Sequence, residues 1–260
     1  MPRTLRTRGS RRHPRVPRPH GGLGCTLPVR TTGDPVSESD DGHETRGLRL
    51  VPVLLGLTVV SGLIDAVSYL GLGHVFTANM TGNVVVLGFA AAGAPGFSIP
   101  HTATSLACFL VGAVAGGRVA RRRAEGSRRT WARLIVAAEA ALVGVSALTA
   151  FLAPHATATV YALIALTAFA MGLRNATVRR LGIADLTTTV LTMTLTGLAA
   201  DSRAGGGQGT HSPRRTASVI AMAAGACLGA WLVIHHGLGI PLLVAAAGAG
   251  VLAAVASGRE

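Results

Sequence analysis

From Leu50 to the C-terminus, apolar stretches of about 20 residues follow one another with only short polar breaks. This recurrence constrains the fold more than any other feature. A 22-residue helix rises roughly 33 Å, enough to cross the hydrocarbon core of a bilayer. The expected spans are 50–71, 98–118, 133–153, 156–174, 216–236 and 238–256. Two further segments, 76–93 and 186–200, are shorter and more polar. Only 13% of the 260 residues are charged, against about a quarter in soluble domains. The fold class read from this pattern is an all-α polytopic membrane protein.

Charge placement decides how the two short segments are treated. All 24 basic residues are arginine. They lie before Leu50, between Arg118 and Arg133, between Arg174 and Arg180, between Arg203 and Arg215, and at Arg259. The connectors near His74, Pro95–His101, Pro154–His155 and His235–His236 carry none. If all eight segments crossed, fourteen arginines would lie outside and ten inside. If 76–93 and 186–200 are re-entrant, all 24 fall on one side, which the positive-inside rule makes cytoplasmic. The expectation is therefore six transmembrane helices, two short re-entrant helical segments, and both termini in the cytoplasm. Irregular backbone at membrane depth must be covered by protein or line a cavity, so both segments should face inward.

Residues 1–47 are rich in Arg and Pro, lack apolar periodicity and read as a disordered tail before a membrane domain over 48–260. No apolar run follows the early charges as a signal peptide requires. Contact with anionic lipid and a mis-assigned translation start are both open for this tail. The net charge of +13 does not point to nucleic acid, because no matching fold or aromatic platform accompanies it. Cys25, Cys108 and Cys227 are far apart and read as unpaired, so neither a disulfide nor a metal centre is expected. Asn79-Met80-Thr81 fits a glycosylation sequon by chance.

The two short segments resemble each other. Gly62-x-x-Asp65-Ala66 precedes Thr77, Thr81 and Asn83, while Gly172-x-x-Asn175-Ala176 precedes Thr188, Thr192 and Thr194. Each unit continues into two more spans, giving repeat units of about 50–153 and 156–256. In the six-span topology they enter from opposite sides, an inverted repeat of the kind secondary transporters use.

The candidate binding residues follow from this plan. Asp65 lies within a span, where an ionisable group is costly and marks a site, here a proton carrier or a helix-bonding aspartate. Asn79, Thr81 and Asn83 from one unit, with Asn175, Thr188, Thr192 and Thr194 from the other, supply neutral donors and acceptors for a small polar solute or a cation. Thr189 and Thr196 add to the second cluster. Single threonines more often bond their own backbone carbonyls. Arg174 and Glu139 are secondary candidates. Arg174 is a topology anchor or a partner for Asp65 or an anionic substrate, and Glu139 is a cavity-facing or interhelical group. Asp185 fits an N-cap, and Asp201 should end its helix in water. Gly112, Gly116 and Gly117 make a small-residue face for close helix contact.

"DAVSYLGLGHVFTANMTGN" and "GLRNATVRRLGIADLTTTVLTMTLTGLAAD" resemble the signature stretches of the YoaK-like family, bacterial membrane proteins of the domain of unknown function 1275. The resemblance covers about residues 50–256. It implies a multi-pass inner-membrane protein and brings no established substrate or catalytic residue. The functional expectation rests on the residues: a secondary-transporter-like permease for a small solute or ion, proton-coupled through Asp65. The alternatives are an intramembrane enzyme or lipid-handling protein, and a non-catalytic membrane partner. No phosphate loop, Ser-His-Asp order or HExxH is present, so no catalytic residue, metal or cofactor is assigned. The expected partners are the lipid bilayer and the solute, with a homo-oligomer left open.

Overall fold

A computed structural model describes residues 41–122, 128–154, 156–181, 191–207 and 212–256. The described residues form eight α-helices and one 3₁₀ turn, Arg203–Gly205, with no strand. The helices are α1 Asp41–Gly71, α2 Met80–Ala91, α3 Ile99–Arg122, α4 Arg128–Leu152, α5 Thr157–Leu181, α6 Leu191–Ala200, α7 Ser212–His236 and α8 Gly239–Val255.

Among the described residues, five helices are long and apolar enough to cross a bilayer: Pro52–Gly71 within α1, then α3, α4, α5 and α7. The 17 residues of α8 rise about 26 Å, at the lower limit for a crossing helix. The 12 residues of α2 and the 10 of α6 rise only about 18 Å and 15 Å. All six expected spans are helices. The first begins earlier than expected, at Asp41, inside the stretch assigned to the tail. Pro52 lies within α1 where the apolar run starts, and it removes one backbone donor there without ending the helix.

Glycines set the two closest helix pairs, α1 with α7 and α3 with α5. A Cβ on Gly62 would lie 2.3 Å from the Met222 carbonyl, and one on Gly225 would lie 2.0 Å from the Val59 carbonyl. On the other pair, Gly172 faces the Phe109 carbonyl at 2.1 Å and Gly112 faces the Phe169 carbonyl at 2.2 Å. Only glycine lets backbones approach this closely, which is how helices pack where the hydrophobic effect does not drive association.

The same contacts fix helix directions. Gly225 meets Val59 and Gly229 meets Leu63, so α1 and α7 are parallel. Gly112 meets Phe169 and Gly116 meets Leu173, so α3 and α5 are parallel. Gly56 meets Leu252 and Gly71 meets Leu238, so α8 runs against α1. Gly144 meets Ala246 and Gly239 meets Phe151, so α8 also runs against α4. His101 at the start of α3 touches Gly73 just past the end of α1, so α3 runs opposite to α1. Helices α1, α4 and α7 therefore point one way, and α3, α5 and α8 the other. Arg118, Arg121, Arg122, Arg133, Arg179, Arg180, Arg214 and Arg215 then share one end of the bundle. His74, His101, His235 and His236 share the opposite end, where the described connectors carry no arginine.

The core is lined by Leu63, Ile64, Val67, Val143, Leu163, Ile164, Met171 and Leu242. Most hydroxyls inside it bond back to their own helix. Thr58 donates to the Leu54 carbonyl at 2.9 Å, Thr167 to Leu163 at 2.6 Å and Thr177 to Leu173 at 2.9 Å.

Candidate functional site

The polar insert after α1 is built by a sharp reversal. Gly73 has φ +85° and His74 φ +59°, two successive left-handed residues that turn the chain back along α1. The returning backbone meets Asp65. One carboxylate oxygen, Oδ1, accepts the N–H groups of Thr77 at 3.1 Å and Ala78 at 2.8 Å. Asp65 is 5% exposed and lies six residues, or roughly 9 Å, below the end of α1. Its second oxygen, Oδ2, has no hydrogen-bond partner among the described residues, and neither does the fully buried Thr77 Oγ1.

Helix α2 starts at that depth. Asn79 caps it, its side-chain oxygen accepting the Gly82 N–H at 3.3 Å. Asn83, fully buried, clamps the approach to the helix. It accepts the Phe76 N–H at 2.8 Å, donates to the Phe76 carbonyl at 2.6 Å and donates to Ser105 Oγ on α3 at 3.1 Å. The far end of α2 returns to where the excursion began. His74 Nδ1 lies 3.0 Å from the Gly96 carbonyl, and Phe97 contacts the rings of His74 and Phe89.

A cavity of about 1020 Å³ opens between this tip and helices α3 and α5. Ala78, Asn79, Met80 and Thr81 border its inner end. Phe109, Ala113 and Gly117 line one wall, and Asn175, Ala176 and Val178 the other. Arg179 and Arg180, in the last turn of α5, border it at the arginine-rich end. Gly117, expected to pack a helix, instead borders this space, with nothing within 4 Å of where its Cβ would lie.

A second polar cluster lies deeper. Arg174 is 1% exposed and Glu139 fully buried, and Arg174 Nη1 donates to Glu139 Oε1 at 2.8 Å. Arg174 also donates to the Leu57 carbonyl at 3.3 Å and to Ser61 Oγ. This ties α4 and α5 to α1.

The expected site residues thus separate. Asn79, Thr81 and Asn175 line one cavity. Asp65 and Asn83 do not line it: each is turned into backbone N–H groups of the reversal and holds its shape. Thr192 is exposed, Thr194 is buried, and neither borders the cavity. Thr196 bonds back to the Thr192 carbonyl at 2.9 Å. Thr188, Thr189 and Asp185 lie outside the described residues. Arg174 pairs with Glu139, which faces it from α4, rather than with Asp65. Asp201 is exposed, as expected, and accepts from Arg215 at 2.5 Å. Sequence reasoning passed over Ser61 and Thr77 as site residues. Thr77 stands in the repeated motif, but nothing in its spacing marks its hydroxyl as buried. Among the described residues, no group of three or more His, Cys, Asp or Glu is placed to hold a metal ion.

Residues 53–255 match the family model described as "Protein of unknown function (DUF1275)". The chain belongs to this family. It is also 38% identical over 149 residues to the UPF0700 transmembrane protein YoaK of Bacillus subtilis (strain 168). That match covers 56% of this chain and 64% of the relative, so the chain spans under two thirds of that protein's length. No solved structure matches it. With five helices long and apolar enough to cross a bilayer, this member of the family is a membrane protein.

Proposed function

We propose that the protein is an integral plasma-membrane permease, built from two inverted repeats, that moves a small solute or ion through the cavity at Asn79, Thr81 and Asn175. The observation that carries this reading is the matching of the two close helix interfaces, residue by residue. One shift in numbering carries Val59, Gly62, Leu63 and Ala66 of α1 onto Phe169, Gly172, Leu173 and Ala176 of α5. A second carries Phe109, Gly112, Ala113 and Gly116 of α3 onto Met222, Gly225, Ala226 and Gly229 of α7. Every close approach on one interface has its counterpart on the other. A Cβ on Gly62 would meet Met222 O and Ala226 N at 2.3 and 2.9 Å, and one on Gly172 would meet Phe109 O and Ala113 N at 2.1 and 2.9 Å. One on Gly229 would meet Leu63 O and Ala66 Cβ at 2.6 and 3.1 Å, and one on Gly116 would meet Leu173 O and Ala176 Cβ at 2.8 and 3.1 Å. Since α1 and α5 run in opposite directions, the repeats are inverted.

Two folds of the same packing in opposite orientation have near-equal energies when their roles are exchanged, which is the physical basis of alternating access. Segment 76–93 is re-entrant in this reading, since α2 is too short to cross and its excursion begins and ends at the arginine-free end. The cavity in turn opens at the arginine-rich end, which the positive-inside rule makes cytoplasmic. Its volume suits a small organic solute. Asp65, behind the tip, is the group through which a coupling cation acts.

The test is osmotic re-swelling of vesicles containing the purified protein, challenged with a panel of small neutral, anionic and cationic solutes. At least one solute should enter faster than in protein-free vesicles. Ala176→Trp, which fills the cavity, should remove most of that excess. No solute entering faster, or an unchanged rate in the Trp variant, sinks the reading.

A further inference from the structure

Three charged side chains lie between the two ends of the long helices among the described residues: Asp65 on α1, Glu139 on α4 and Arg174 on α5. The spans of α3, α7 and α8 add none. Arg174 and Glu139 neutralise each other at 2.8 Å. One carboxylate charge is left over, at Asp65, in a place where an uncompensated charge is costly. Two backbone N–H groups, of Thr77 and Ala78, satisfy its Oδ1, and the Asn79 N–H also faces the carboxylate. Its Oδ2 and the hydroxyl Oγ1 of Thr77 are both buried and without a hydrogen-bond partner among the described residues. The Thr77 N–H bonds Asp65 at 3.1 Å, which brings the two residues together.

We propose that Asp65 and Thr77 form a sodium site at the reversal between α1 and α2, with carbonyl oxygens of the non-helical stretch 72–79 completing the shell. The proposal rests on the permease reading only for its role as the coupling site. The chemistry is that of a small, hard cation. One carboxylate oxygen and one hydroxyl oxygen are donors for it, and a single excess negative charge calls for a monovalent ion. A proton on Oδ2 needs a single acceptor, whereas a cation takes up oxygens of both side chains and of the backbone at once. Unwound backbone beside a broken membrane helix is where transporters coordinate such ions. Asn175 stands at the position equivalent to Asp65 in the second repeat. It carries no charge, so the ion belongs to one repeat only.

The experiment is thermal unfolding of the full-length protein in detergent, in sodium, potassium or choline chloride at fixed ionic strength and pH. Sodium should raise the midpoint saturably, by about 3–6 °C at ten times its dissociation constant. Choline should leave it unchanged, and potassium should act only at much higher concentration. Asp65→Asn keeps an acceptor for the Thr77 and Ala78 N–H groups and should fold, but lose the sodium response. Thr77→Val, which removes no charge, should weaken sodium binding about tenfold, and Thr77→Ser should restore it. Equal effects of sodium and choline overturn the site. So does a midpoint that follows pH but not sodium, which would put a proton there. Sodium binding in detergent without solute entry into vesicles would sink the permease while leaving the site. Solute entry indifferent to sodium would leave the permease and remove the site's coupling role.

Discussion

At the residue scale, the buried charges divide into a structural pair and a lone group. Removing one partner of a buried ion pair leaves the other uncompensated, which costs about 3–5 kcal/mol. Glu139→Gln should therefore destabilise the protein by about that much, measured as a loss of folded protein after heating in detergent. Asp65→Asn should cost less, because the amide oxygen still accepts from the reversal. If the two variants were equally stable, the assignment of Glu139 as the partner of Arg174 would be wrong. Asn83→Ala removes three hydrogen bonds, two that tie α2 to Phe76 of the reversal and one to Ser105 on α3. The Phe76 carbonyl and Ser105 keep each other, but the Phe76 N–H loses Asn83, which should cost about 1–3 kcal/mol, visible in the same heating assay.

At the scale of elements, glycine decides which helices touch. A Cβ at Gly62 or Gly172 would be driven into a backbone carbonyl, at 2.3 and 2.1 Å, with no flexible side chain to give way. Gly62→Val and Gly172→Val should each push a helix pair apart and be strongly destabilising, to similar degrees because the two close approaches are alike. Gly250 in α8 has nothing within 4 Å, so Gly250→Ala should stabilise by about 0.5–1 kcal/mol through helix propensity alone. The three unfolding midpoints decide the matter. A Gly172→Val variant as stable as Gly250→Ala would contradict the close α3–α5 packing.

At the scale of the whole molecule, the arginine-rich and arginine-free ends predict the topology. In a background lacking Cys25, Cys108 and Cys227, single cysteines at Gly96 and Ala156 should react with an impermeant thiol reagent added to intact cells. A cysteine at Gly126, in the connector between α3 and α4, should react only after permeabilisation. Labelling of Gly126 from outside would reverse the orientation. A cysteine at Ala113 borders the cavity and should be protected by any solute that the vesicle assay identifies.

Composition and order along the chain determined a good deal without the structure. Apolar runs long enough for a bilayer can only be satisfied as helices there, so the six expected spans appear as helices. Arginine placement follows from the cost of charge in lipid, so it marked in advance the end at which the long helices carry their basic residues. The likeness of Gly62-x-x-Asp65-Ala66 to Gly172-x-x-Asn175-Ala176 was legible because close helix approach demands glycine wherever it recurs. What only the tertiary structure decided is which polar atoms meet. Spacing along one helix does not reveal that Arg174 finds Glu139 on another, because that pairing depends on how three helices pack. Nor does it reveal that Asp65 turns to a backbone returning twelve residues later. That return depends on two left-handed residues, Gly73 and His74, and His74 carries no sequence signal for such a conformation. The cavity is likewise a gap between elements, fixed by where Gly112 and Gly172 allow contact and where Gly117, with the same lack of side chain, faces open space.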